Sequence, residues 1–146
     1  MLYLAIVMDL YSRKIISWAF SDRANSKLVR RALQLAIEKR RPKESLVFHS
    51  DQGCQYSSEA FLSCLQYHSI TASMSRKGNC LDNAVVERFF RSLKSERINY
   101  RRYLNRHQAV ADIIDYIEPF YNQVRRHAHL GNISPDQYEA RTLKAA

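Results

Sequence analysis

LVFHSDQGCQYSS, residues 46–58, turns from apolar to polar at its middle. Leu46-Val47-Phe48 is an apolar run of strand length, and the polar turn Ser50-Asp51-Gln52-Gly53 follows at once. The run reads as a short buried strand, with Asp51 just past its C-terminal end, where open α/β sheets carry functional groups. Ser57 or Ser58 then caps a helix with Phe61, Leu62 and Leu65 on one face. Ile70-Thr71-Ala72 reads as another short strand.

Working outward, Ser73 to Asp82 is a polar stretch holding Gly78 and Asn79 and reads as flexible. Asp82 opens a helix through Val85, Val86, Phe89, Phe90 and Leu93. A longer helical pattern runs Val110, Ile113, Ile114, Ile117, Phe120, Tyr121, Val124, with Pro119 expected to kink it or end it early. Ser134-Pro135-Asp136-Gln137 combines an N-cap serine, a proline at the first helical position and a capping-box glutamine. Upstream, Tyr3 to Met8 and Ile15 to Phe20 are apolar runs separated by Ser12, Arg13 and Lys14, which predicts a hairpin. From Ser26, apolar residues recur at helical spacing up to Pro42, with Asn25 or Ser26 as N-cap. The expected order is strand, strand, helix, strand, helix, strand, then three helices. That is a mixed α/β chain.

Composition bounds the rest. One compact domain fits 146 residues, and 46% hydrophobic with 25% charged residues are globular values. The net charge is +9, with 23 Lys and Arg against 14 acids, and such a field favours polyanions. Cys54, Cys64 and Cys80 are odd in number and form no C-x-x-C pair, so they read as buried thiols rather than a disulfide or zinc framework. The apolar start MLYLAIVMDL has no basic leader and is too short to span a membrane. No His-Glu-x-x-His pattern points to zinc hydrolysis.

Two carboxylates carry the chemistry. Asp51 lies at a strand tip, Glu87 lies one turn into a helix, and 35 residues separate them. Phosphoryl transfer on DNA uses two divalent ions, and hard ions take carboxylate oxygens converging from separate elements. On position alone, an Asx-turn at Asp51 and an exposed helical Glu87 are the favoured reading over a metal site.

The blocks around these residues are more specific. His49 to Ser58 (HSDQGCQYSS), Ser73 to Glu96 (SMSRKGNCLDNAVVERFFRSLKSE) and Tyr121 to Glu139 (YNQVRRHAHLGNISPDQYE), with the start YLAIVMDLYSRKIISW, resemble insertion-sequence transposases of the DDE superfamily. These share the retroviral-integrase catalytic core, a ribonuclease-H-like mixed sheet flanked by helices. The resemblance covers essentially the whole chain in the family's order. It implies that Asp51 is the second catalytic Asp and Glu87 the catalytic Glu, both holding Mg²⁺ or Mn²⁺, two ions in the complete site. Lys94 matches the basic residue seven positions after the Glu and implies a phosphate contact. Asn83, one turn before Glu87, either orients it, touches DNA or belongs to the N-cap region. The resemblance further implies DNA strand cleavage and transfer at transposon ends and target, by a homo-oligomer. End recognition would lie on a helix-turn-helix module, separate or upstream. A cytoplasmic, nucleoid-associated location without membrane is expected.

The family's first Asp lies on a strand preceding the one that matches Tyr3 to Asp9, and this sequence starts after it. Residues 1–146 are therefore expected to be a partial catalytic core lacking that central strand, with about 107–146 as a C-terminal helical extension. A vacant or collapsed slot in the sheet, low stability and no DNA cleavage by the chain as it stands are expected. Unpaired buried backbone groups cost about 1–3 kcal/mol each. Asp9 is expected to hold the hairpin or to pair with Arg13.

Basic residues gather between Arg76 and Arg106: Arg76, Lys77, Arg88, Arg91, Lys94, Arg97, Arg101, Arg102 and Arg106, nine against three acids. Arg76 and Lys77 are placed to fold over substrate, and Arg88, Arg91 and Lys94 to contact DNA phosphates, with a solvated face as the plain alternative. His49 is expected to pack rather than ligate. His127 and His129 either join Arg125 and Arg126 on DNA or cap a helix end. Trp18 and Tyr11 are expected in core or hairpin packing. Two other functions stay open: a non-enzymatic nucleic-acid-binding remnant, and a ribonuclease-H-type nuclease.

Overall fold

A computed structural model describes residues 1–42, 46–50, 56, 58–74 and 84–145. In chain order the elements are β1 (Tyr3–Met8), β2 (Ile15–Ser21), α1 (Ser26–Arg40), β3 (Leu46–Ser50), α2 (Glu59–Tyr67) and β4 (Ile70–Met74). There follow α3 (Ala84–Glu96), α4 (Arg106–Asp115), a π-helical stretch Tyr116–Asn122 and α5 (Pro135–Ala145), with 3₁₀ turns at Ile98–Tyr100 and Ala128–Leu130. The order is the one the periodicities predict.

The strands form two separate two-stranded sheets, β1 with β2 and β3 with β4. β3 and β4 run parallel with Phe48 opposite Ala72 and His49 opposite Ser73. No described residue supplies a strand joining the two pairs. The expectation that Leu46 to Phe48 is buried fails at its start, because Leu46 is 46% and Val47 63% exposed. β3 is paired on one edge only among the described residues, and Phe48 is the strand residue that reaches the core.

Chain contacts divide the protein into two compact units, residues 1–7 with 16–88, and 8–15 with 89–146. In the first, the apolar face of α1 (Leu28, Val29, Ala32, Leu33) packs with Ala5, Ala19, Phe61, Leu65 and Ile70. The N-caps choose between the alternatives left by sequence. Asn25 Oδ1 accepts from the Leu28 N–H at 3.2 Å, and Ser58 Oγ from that of Phe61 at 3.2 Å. α1 ends at Arg40, and Arg41 turns left-handed with φ 45° just before Pro42. Ser17, buried in β2, donates to the Ala32 carbonyl at 2.6 Å, and the Lys39 ammonium sits 4.4 Å from the Trp18 ring centre. Trp18 is half-buried and meets α1 through Lys39 rather than through the core cluster.

In the second unit an aromatic cluster of Phe89, Tyr116 and Tyr121 forms the centre, with Phe89 edge-on to Tyr121 at 5.0 Å. The hairpin tip is held by Asp9, whose Oδ1 accepts from the N–H of Tyr11 at 2.9 Å and of Ser12 at 3.3 Å. The hairpin-holding role expected for Asp9 is observed. The tip binds α5: Lys14 pairs with Asp136 at 2.8 Å, Ser12 Oγ donates to Glu139, and the Tyr11 ring meets that of Tyr138 tilted at 58° with centres 5.1 Å apart. The capping box at the start of α5 forms in both directions, Gln137 N–H to Ser134 Oγ and Ser134 N–H to Gln137 Oε1 at 3.0 Å.

Pro119 neither ends the helical run nor stands in an α-helix. α4 stops at Asp115 and the chain widens into π winding with Pro119 inside it. That winding buries Asn122, whose Oδ1 accepts from Ile15 N–H at 2.9 Å while its Nδ2 donates to Ile15 C=O at 3.0 Å. One side chain takes the place of a strand partner at the base of β2.

Candidate metal and nucleic-acid site

β3 ends at Ser50, so Asp51 follows directly on the strand in sequence. Asp51 itself, with Cys54, Arg76, Lys77, Cys80 and Asn83, lies outside the described residues. The strand end beside it is fixed by a cross-strand contact, His49 Nδ1 to Ser73 Oγ at 3.2 Å. This accounts for His49 as a packed residue.

Glu87 lies in the first turn of α3 and is exposed. α3 is amphipathic: Phe89 and Leu93 are buried, while Glu87, Arg88, Arg91 and Lys94 are exposed. Spacings of four and three residues put Glu87, Arg91 and Lys94 on one stripe. Glu87 and Lys94 are two turns apart, about 10 Å along the axis. Among the described residues none of these four charged side chains has a hydrogen-bond or ion-pair partner. The stripe is therefore a row of uncommitted charges with one carboxylate at its N-terminal end.

Other basic residues of the cluster are committed. Arg97 Nη1 binds Asp112 Oδ1 at 2.8 Å and Asp115 Oδ2 at 3.1 Å, and Arg101 Nη1 binds Asp112 Oδ1 at 3.0 Å. Tyr103 OH donates to Asp112 Oδ2 at 2.6 Å. Burial would raise the Asp112 carboxyl pKa, but the bonds from Tyr103 and Arg97 and the charges of Arg101 and Arg97 hold it below the ordinary value. Arg97 and Arg101 are structural ties rather than free DNA contacts, and the acid that claims them sits on α4, past the last residue of the basic cluster. The signal available in sequence was the Asp112, Asp115 pair, three residues apart and so on one helix face.

Of the histidines of the C-terminal block, His127 is held inside the fold and His129 is exposed. His127 is buried, edge-on to Tyr121 at 4.6 Å with Nε2 3.3 Å from the Tyr121 carbonyl, and burial lowers its pKa. His129 Nε2 lies 3.2 Å from Arg13 Nη2. Arg125 grips Glu96, Nε to Oε1 at 2.8 Å, and Tyr116 OH donates to the same carboxylate at 3.1 Å.

No three His, Cys, Asp or Glu side chains among the described residues are grouped closely enough to hold a metal ion. No helix of the described residues is long and apolar enough to cross a membrane.

Similar folds place this architecture. A chain of the simian T-cell lymphotropic virus intasome, solved in complex with a PP2A regulatory subunit, matches with TM-score 0.73 at 19% identity. The match covers 92% of this chain and 47% of that one. The HTLV-2 integrase catalytic core domain, solved in complex with magnesium, matches with TM-score 0.66 at 17% identity, covering 92% and 82%. The fold is thus the ribonuclease-H-like one of retroviral integrase catalytic cores.

Sequence carries the assignment further. Two family models, both described as integrase core domain, match residues 1–80 and 68–135, and the chain belongs to that family. It is 43% identical over 142 residues to transposase InsF for insertion sequence IS3A of Escherichia coli strain K12. That alignment covers 97% of this chain and 49% of the relative, so the chain spans about half the length of the curated relatives it matches. The likeness to insertion-sequence transposases seen in the four sequence blocks is borne out across the chain.

Proposed function

We propose that this chain is part of the catalytic core of an insertion-sequence DNA transposase, acting on DNA by metal-dependent strand cleavage and strand transfer. The observation that carries the reading is Glu87, an exposed carboxylate without a described protein partner, heading a stripe with Arg91 and Lys94. Hard divalent cations need such uncommitted oxygen donors, so the residue fits the group that the family implies. Glu87 and Asp51, with a third carboxylate, would hold Mg²⁺ or Mn²⁺, two ions in the complete site. Bound there, the ions supply Lewis-acid stabilisation of charge on the phosphate oxygens. Lys94 and Arg91 bind the DNA backbone on the same helix face and position the scissile phosphate. Arg88, Arg76, Lys77 and Asn83 add contacts along the strand. Water would attack a phosphodiester in line and expel a 3′-hydroxyl, which in turn would attack a target phosphodiester in line and expel the target strand's 3′-hydroxyl, and no side chain serves as covalent nucleophile. The substrates are transposon ends and target DNA, and joining two ends calls for self-association. Residues from about 107 to 146 form the helical extension of this core.

Titration with Mn²⁺ followed by electron paramagnetic resonance tests the carboxylates without requiring turnover. Asp51→Asn and Glu87→Gln should each weaken binding by about tenfold or more, a loss that even an outer-sphere partner of a metal can cause. Unchanged Mn²⁺ affinity in both variants would remove the catalytic reading. DNA binding insensitive to Asp51→Asn and to chelator, with no cleavage, would leave a nucleic-acid-binding remnant in its place.

A further inference from the structure

Between α3 and α4 runs the segment Arg97 to Asn105, RINYRRYLN, which carries three arginines and no acid. Its backbone is clamped from below. Arg97, Arg101 and Tyr103 converge on Asp112 at 2.8, 3.0 and 2.6 Å. Farther along, Leu104 N–H donates to Gln108 Oε1 at 2.9 Å, and Asn105 Oδ1 caps α4 by accepting from Gln108 N–H at 3.0 Å. What this rigid frame displays is unusual for a surface connection. Tyr100 is 81% and Leu104 87% exposed, and Arg102 and Arg106 are exposed with no partner among the described residues.

The chemistry of that display is an exposed aromatic ring followed along the same connection by two uncommitted guanidiniums, Arg102 and Arg106. A protein partner would call for a contiguous apolar patch, whereas Tyr100 and Leu104 stand singly among charges. Nucleic acid answers all three groups, since phosphates take the arginines and an unstacked base takes the ring. The frame also lowers the cost of binding, because the backbone that presents these side chains is already ordered.

We propose that the connection between α3 and α4 is a second DNA contact, separate from the Glu87 stripe. In it Tyr100 stacks on an unpaired or unstacked base, and Arg102 and Arg106 hold the flanking phosphates. This rests on the reading of the chain as a DNA-acting core. It adds a preference for single-stranded or distorted DNA.

Fluorescence anisotropy with labelled single-stranded and duplex oligonucleotides, at several salt concentrations, tests it. Tyr100→Ala should weaken single-strand binding by about 5- to 150-fold, the range of one stacked base, and leave duplex binding nearly unchanged. Tyr100→Phe should retain the affinity. The double variant Arg102→Ala/Arg106→Ala should flatten the slope of log affinity against log salt by about 1.4 on single strands. Because these side chains are exposed, circular dichroism should be unaltered. Single-strand binding by Tyr100→Ala equal to that of the parent, in a protein whose duplex affinity still falls on Lys94→Glu, would overturn this contact alone. A parent protein that binds neither form of DNA would overturn both this contact and the proposed function.

Discussion

At the scale of the residue, Asp112 is the most informative group in the protein. Its two oxygens take three donors, and its side chain and that of Arg97 are only 11% and 15% exposed. Removing Asp112 takes from Arg97 its better-buried partner but leaves it Asp115, so the loss is that of charge-assisted hydrogen bonds, about 1.5–3 kcal/mol. Asp112→Ala should therefore lower unfolding free energy by about that amount in urea melts, whereas Asp115→Ala, at a 65% exposed partner, should cost much less. The pH dependence follows in sign. The Asp112 pKa is lower in the fold than in the unfolded chain, so its contribution is complete above the ordinary value of 3.8 and is lost as pH falls through the lower folded value. The stability gap between the parent and Asp112→Asn should then narrow below pH 3.8, and a gap independent of acid would contradict the linkage. Tyr103 runs the other way: burial and the neighbouring carboxylate push it from 10.0 up to about 12. Its share of stability is present below pH 10.0 and is lost as pH rises toward 12, and Tyr103→Phe should remove that part of the alkaline loss.

At the scale of the element, what sequence made legible is what local rules control. The capping box at Ser134 and Gln137, the N-caps at Asn25 and Ser58 and the two-faced pattern of α3 all satisfy near neighbours, so their residues announce them. Ser134→Ala should accordingly cost about 1 kcal/mol by thermal melting. The form of the turn at Tyr116–Asn122 was not legible, because Pro119 announces a break in α winding without saying what replaces it, and the Ile15 backbone that Asn122 binds lies 107 residues away in sequence. Asn122→Leu, which keeps the branching and the number of heavy atoms, should cost about 2 kcal/mol or more, since it leaves a buried N–H and C=O unsatisfied. An unchanged midpoint for that variant would mean the contact is idle. The exposed start of β3 was missed for a related reason, as an apolar run signals a strand without saying what covers it. The candidate site divides in the same way. Glu87 and Lys94 on one face of α3 follow from helical spacing, but the pairing of Glu87 with Asp51 rested on family likeness, and Asp51 lies outside the described residues.

At the scale of the whole molecule, the net charge of +9 does not by itself say which cations meet DNA. Ion pairing partitions them. Lys14, Arg97, Arg101 and Arg125 are neutralised by Asp136, Asp112, Asp115 and Glu96. Arg88, Arg91, Lys94, Arg102 and Arg106 have no such partner among the described residues. A paired cation is already partly compensated and releases few counterions when DNA binds, whereas each uncommitted one that meets a phosphate adds about 0.9 to the duplex salt slope. Lys94→Gln and Arg91→Gln should therefore each weaken duplex binding and flatten that slope by about 0.9. Arg125→Gln, although it removes the same formal charge, should lower the melting temperature and leave the slope where it was. If all three substitutions flattened the slope equally, net charge alone would govern binding, and the division into structural and DNA-facing cations would carry no functional meaning.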